Sequence, residues 1–241
     1  VERAYADQAP GAIIDDLAGG AGASSAAGGA GESLPRYVAD GGRSVIEHIA
    51  RLAATAGRMA FFDDAGELTL VDDQAAGESV ATFRAGETLI DFRITAREGA
   101  GSVAVDGAGA SDAGSGNEWA WLRKEAGPMS ASGGEGLPQR RIAAPWVRSP
   151  QAAAELAGAS LRGQARVAAL GRFLVQAAPS VVPGAVFTIA GTGAGEGSWR
   201  ALAVTLRFDL TNGMVSEILG APAGAGADLP LGLPGGLGGL L

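Results

Sequence analysis

Apolar side chains recur along this chain at two periods, and each change of period marks an element. Ile13, Ile14 and Leu17 lie on one side of a short helix over residues 7–18, and Gly19 and Gly20 end it. Residues 19–33 are Gly, Ala and Ser and form a loop, and Leu34 to Val38 is a short extended piece. The clearest helical signal follows. Ser44 and Glu47 fit the S-x-x-E capping box, and Val45, Ile49, Leu52 and Ala56 recur at helical spacing until Gly57 stops the run. The period then drops to two. Met59–Phe62 and Glu67–Val71 are strands joined by the turn Asp63-Asp64-Ala65-Gly66.

Alternation continues downstream. Residues 79–84 and 88–97 read as strands with a tight turn at Ala85-Gly86-Glu87; Asp91, Arg93 and Thr95 alternate with Ile90, Phe92 and Ile94. Ser102–Asp106 adds a third. Residues 107–117 and 127–138 have the composition of loops or linkers. Ser149-Pro150, a capping residue followed by Pro at the first helical position, opens an Ala-rich helix to about Ala165. Its small side chains let a neighbour pack closely. Four strands end the pattern at 167–177, 185–190, 198–209 and 214–219, and their short links, including Asn212-Gly213, predict an antiparallel meander. The fold class is therefore α+β. Residues 1–72 form a small α/β domain with helices 7–18 and 44–56 and hairpin 59–71. Residues 73–220 form a mainly antiparallel β domain carrying helix 150–165, and 221–241 form a flexible Leu/Gly-rich tail.

Composition narrows the chemistry. Among 241 residues there are 40 Gly, 11 Pro, one His and no Cys. Without Cys there is no disulfide, thiolate nucleophile or sulfur-built zinc site. One histidine excludes a multi-histidine metal site. The expectation is a protein that is not an enzyme, with no catalytic residue, cofactor or metal. A formal charge of −8 argues against bulk attraction to nucleic acid. No apolar run reaches the roughly 18 residues a membrane helix needs, so no membrane anchor is expected. The chain starts at Val1, consistent with processing or a missing upstream segment, and shows no signal peptide.

The chemistry-bearing motifs have plain structural readings. Gly191, Gly193, Gly195 and Gly197 lack the helix that a dinucleotide fingerprint needs and read as a hairpin tip. His48 lies inside the capped helix without a nucleophile beside it, so it reads as structural. Asp15–Asp16, Asp63–Asp64 and Asp72–Asp73 are carboxylate pairs open to hydrolytic or calcium chemistry, but neighbours in sequence diverge and Asp63–Asp64 suits its turn. Arg140-Arg141 and Arg148 read as a solvated or salt-bridged set. Two groups remain as partner contacts. Trp119, Trp121 and Trp146 suit an interface. Leu229, Leu231, Leu233, Leu237, Leu240 and Leu241, separated by Gly and Pro, suit docking into a partner.

The order of elements is similar to a known family. Tyr5-Ala6-Asp7-Gln8 before the helix with Ile14 and Leu17, and Leu34-Pro35-Arg36-Tyr37-Val38 before Arg43–Ala53 and Ala56-Gly57, resemble the middle of phage tail hub proteins. Phe61–Leu70 resembles their next hairpin. Ser149-Pro150 and the later Val182-Pro183-Gly184 before Val186–Ile189 are similar to their second barrel. The group is that of late control protein D, the central baseplate hubs of contractile tails and the hub portion of VgrG. The family's first barrel is expected to be absent or to lie upstream of Val1, and where the family's spike or LysM-like module would be expected after the second barrel this sequence shows the Leu/Gly tail.

The resemblance implies a tail-tube or hub-like β-barrel with a small α/β insertion domain. It implies a homotrimer that adapts the tail tube to a central spike and lines the conduit. Implied partners are a tail tube or distal tail protein, a central spike or fibre protein, and passing DNA or tape-measure protein in the lumen. The implied location is the virion tail or baseplate, assembled in the bacterial cytoplasm. A gene transfer agent or tailocin would use the same subunit. The alternative from the residues alone is a β-rich carbohydrate-binding or hydrolytic module of a phage or cell-surface assembly, built on the Trp cluster and the carboxylates.

Overall fold

The computed structural model describes residues 2–63, 65–72, 77–97, 99–107, 130–147, 149–193, 195–210 and 213–224. Strand makes up 47% and helix 22%, which places the chain in the α+β class. It divides into two units, residues 1–73 with 99–165, and residues 74–98 with 166–241. The boundaries drawn from sequence assign 99–165 to the barrel; in the structure these residues pack with the N-terminal ones.

In the first unit, β1 (Arg3–Gln8) pairs antiparallel with β2 (Leu34–Ala39), with Tyr5 opposite Tyr37. The helix expected at 7–18 is shifted: α1 spans Pro10–Gly20, because residues 3–8 are taken by the ladder and Pro10 supplies a preset first helical position. α2 (Val45–Thr55) begins at the expected box, where Glu47 Oε2 accepts the Ser44 N–H at 2.7 Å. β3 (Arg58–Phe62) and β4 (Leu68–Asp72) form the expected hairpin. One core joins these elements around Ile13, Ile14, Leu17, Leu34, Leu52 and Leu68, all at most 2% exposed.

The same unit holds a three-stranded sheet. β7 (Ser102–Gly107) lies between β8 (Ser130–Gly133), antiparallel, and β9 (Gln139–Ala144), parallel. β8 falls within the expected loop 127–138. Its Ser, Ala and Gly carry no strand signal of their own; pairing with Val103 and Val105 makes it a strand. α3 (Pro150–Ala168) packs Ala152, Ala153, Leu156 and Ala157 into this second core. Here small residues do permit close approach: a Cβ on Gly133 would sit 3.2 Å from the Ala157 carbonyl carbon.

The second unit is a six-stranded sheet curled into a half-barrel, in the order β5-β11-β12-β13-β10-β6. Its members are β5 (Ser79–Arg84), β6 (Leu89–Ala96), β10 (Ala169–Gln176), β11 (Val186–Ala190), β12 (Gly197–Asp209) and β13 (Gly213–Pro222). β11, β12 and β13 form the expected meander, but β10 crosses over to the far side of β13. β5 and β6 do not pair along their length. They occupy opposite edges of the sheet, and β5 runs parallel to β11. The core face carries Phe83, Phe173, Phe187, Trp199, Ile189 and Ile218. Phe173 meets Trp199 and Phe187 edge-to-face, at centroid separations of 4.8 and 5.5 Å. A Cβ on Gly171 would collide with the Phe173 ring, so this strand position is kept free of a side chain by the aromatic core.

Candidate functional site

The residues singled out for chemistry are engaged in structural contacts. His48 is fully buried. The Asp40 carbonyl can only accept, so Nε2–H donates to it at 3.1 Å, and in the neutral ring Nδ1 accepts from the Tyr37 hydroxyl at 2.8 Å. The Tyr37 ring stands edge-on to the imidazole at 5.9 Å, and burial pushes the Tyr37 phenol above its ordinary pKa. The histidine thus locks α2 onto β2, with no nucleophile in reach.

The adjacent carboxylates diverge, as neighbours on a helix must. Asp15 accepts from the Ser25 hydroxyl at 2.6 Å and from the Ala27 and Gly28 amides at 2.9 Å, shaping the loop after α1. Asp16 accepts from the Tyr5 hydroxyl at 2.7 Å and from Arg3 Nη1 at 2.6 Å. These two donors hold its carboxyl below the usual range, while burial and the Asp16 contact push the Tyr5 phenol up to about 12. Asp63 accepts two amides of its own turn. Among the described residues, no three His, Asp or Glu side chains converge as metal ligands. Among the described residues, no helix is long and apolar enough to cross a membrane. Gly191, Gly193 and Gly195 lie at the tip between β11 and β12 and Gly197 opens β12; all four have positive φ.

Of the residues expected to contact partners, Trp146 alone lies among those described. It is half-buried, packs against both cores of the first unit, and carries the Arg51 guanidinium 3.5 Å above its ring. Trp119, Trp121, Leu229, Leu231, Leu233, Leu237, Leu240 and Leu241 lie outside the described residues, as do Asp64, Asp73 and Arg148. Arg141 forms an exposed ion pair with Asp106 across β9 and β7, at 3.2 Å.

A surface that sequence reading did not assemble lies on the second unit, on the sheet face opposite the aromatic core. Strand alternation turns Phe92, Phe173 and Ile218 inward, so Asp91 and Arg93 on β6, Arg172 and Leu174 on β10, and Glu217 on β13 turn outward. Together with Arg207 on β12 they line a hollow of about 340 Å³. A second hollow of about 280 Å³ shares Arg93 and Arg172 and extends to Arg97, beside exposed Val167 and Leu219. Glu217 links Arg172 Nε at 2.7 Å and Arg207 Nη2 at 3.2 Å. The Arg172 contact holds the Glu217 carboxyl below its ordinary range. The alternation Asp91-x-Arg93-x-Thr95 is visible in sequence; that Arg172 stands opposite Arg93 depends on register between distant strands.

No protein-family model matches the chain, and no curated protein matches it. Solved structures do share its fold. The 43 kDa tail protein of prophage MuSo2 from Shewanella oneidensis is similar at a TM-score of 0.65 and 15% identity, over 91% of this chain and 66% of its own. A tail protein from Neisseria meningitidis MC58 is similar at 0.66 and 11%, over 91% and 68%. A chain from the virion of a native gene transfer agent particle is similar at 0.62 and 13%, over 90% of this chain and 48% of that one. The chain thus spans about two thirds of the two tail proteins and about half of the virion chain.

Proposed function

We propose that this chain is a structural subunit of a phage tail or of a phage-like particle such as a gene transfer agent. It acts at the baseplate hub as a trimeric adapter that joins the tail tube to the central spike and lines the conduit. The observation that carries this reading is the fold, shared across about nine tenths of the chain with a prophage tail protein, a second tail protein and a gene-transfer-agent virion chain. The residues themselves support it. His48, Asp15, Asp16 and Asp63 are committed to holding elements together, which suits a subunit whose work is shape and not turnover. In this role the partners are neighbouring copies, a tube or distal tail protein and a spike or fibre protein. The Leu residues between 229 and 241 and the Trp residues at 119 and 121 serve as contacts, and the location is the assembled tail.

The test is an epitope-tagged chain expressed in the producing bacterium, with particles purified and imaged by electron microscopy after gold labelling. Label at the tail tip, and tails lost when the gene is deleted, are expected. Purified particles that lack the chain, or that form normal infectious tails after deletion, would overturn the reading.

A further inference from the structure

We infer that the arginine-lined face of the six-stranded sheet docks the acidic surface of a second copy of this chain. Arg93 and Arg172 are direct register partners on β6 and β10. Like charges set opposite each other on one sheet face oppose strand pairing. Glu217 answers this for Arg172 and Arg207, but no carboxylate among the described residues pairs with Arg93 or Arg97. Four arginines against Asp91 and Glu217 leave an excess of two positive charges on this face. The arrangement is unfavourable in an isolated subunit and favourable against a carboxylate-bearing partner, because guanidinium groups hold carboxylates through paired hydrogen bonds.

The rest of the chain supplies that partner's chemistry. Of 18 basic and 26 acidic residues, the first unit holds 11 and 18, an excess of seven negative charges. The second holds 7 and 8, and four of its arginines are gathered on this face. An Arg-rich face on one unit and the net negative charge of the other are complementary for a head-to-tail contact between copies, the kind of contact that closes into a ring. The composition of the face points to protein and not nucleic acid. Leu174, Leu219 and Val167 interleave the arginines, and the aromatic of the adjoining strand, Phe92, faces the core, so the lining has no ring on which a base could stack. The inference rests on the ring-forming reading above only for closure of the ring.

The purified chain tests it by sedimentation velocity and native mass spectrometry at 50 and 500 mM salt, with Arg93→Glu/Arg97→Glu as the variant and Arg84→Glu as the control. Both altered residues are exposed, and circular dichroism checks the fold. Self-association at low salt is expected, weakened at least about tenfold at high salt as screening shortens to a few ångströms. A similar loss is expected in the double variant, and none in the control. Because the contact is head-to-tail, the variant still offers its acidic surface, so an equimolar mixture with wild type gives heterodimers, and assemblies that contain a variant copy do not close into rings. A chain that stays monomeric at both salts, association indifferent to the reversals, or a mixture without heterodimers would overturn the inference. So would binding of a fluorescent single-stranded oligonucleotide that the reversals abolish without any self-association. None of these outcomes bears on whether the chain is present in particles, which tests the tail reading separately.

Discussion

Phe173 is a central side chain of the half-barrel core. It is fully buried at the middle of β10, between Phe92 on one neighbouring strand and Ile218 on the other. Its ring makes two edge-to-face contacts, with Trp199 and Phe187. Truncating a buried Phe to Ala removes its transfer free energy and leaves a cavity, together about 3–5 kcal/mol. Each aromatic pair adds about 0.5–1.5 kcal/mol beyond burial, which puts Phe173→Ala toward the upper end, at about 4 kcal/mol. With a urea slope of about 2 kcal/mol/M, the unfolding midpoint should fall by about 2 M. Phe173→Leu keeps most of the volume but loses both ring contacts, and should cost about 1–3 kcal/mol. Phe208, on the same sheet but 75% exposed, is the control, and its change to Ala should stay within about 0.5 kcal/mol. Urea unfolding followed by near-ultraviolet circular dichroism reads all three. A loss below about 1 kcal/mol for Phe173→Ala, or one equal to that of Phe208→Ala, would refute the assignment of this core.

Other outcomes follow from single contacts. His48→Ala leaves the buried Tyr37 hydroxyl and Asp40 carbonyl without their partner, at about 1–3 kcal/mol for the stranded groups and more for the cavity, so thermal unfolding should shift down by several degrees. Ser149→Ala removes the hydroxyl that accepts the Ala152 amide at 3.0 Å at the start of α3, and should cost about 1 kcal/mol by urea titration. The chain has two tyrosines, and both phenols are raised, Tyr5 to about 12. Tyrosinate absorbance at 295 nm should therefore lag that of the urea-unfolded chain, and Tyr5→Phe should remove the step near pH 12. Since the folded pKa lies above the unfolded one, the stabilisation linked to Tyr5 is complete below about pH 10 and is lost as pH rises through about 12.

What the sequence revealed, and what it hid, follows from the range of the interactions. α2 is legible because its capping box and its apolar stripe lie within one another's reach along the chain. The same holds for the β3–β4 hairpin and for α3 behind Ser149-Pro150. The structural character of His48 was legible from what it lacked nearby; its actual partners, Tyr37 and the Asp40 carbonyl, came from the β2 approach. β8 and β9 were not legible. Ser130–Gly133 has loop composition and Gln139–Ala144 reads as a basic cluster, and each becomes a strand only because β7 offers Val103 and Val105 between them. The shift of α1 to Pro10 has the same cause, since strand pairing with β2 claims residues that helical spacing alone would include.

The charged face shows where this limit bears on function. Local alternation places Arg93 outward and Phe92 inward, and that much can be read from six residues. Whether Arg93 faces a carboxylate or another arginine depends on β10 crossing the sheet to reach β6, and on a register in which a one-residue slip would put Phe173 on the surface. The aromatic core fixes which face of β10 is buried, because Phe173 meets Trp199 and Phe187 there. With Phe173 buried, Arg172 turns to the outer face, and the β6–β10 ladder sets it opposite Arg93. Glu217 relieves Arg172 from within the sheet, so the carboxylate of a second copy is needed at Arg93 and Arg97, and the charge there is better read as half of a contact than as a solvated surface.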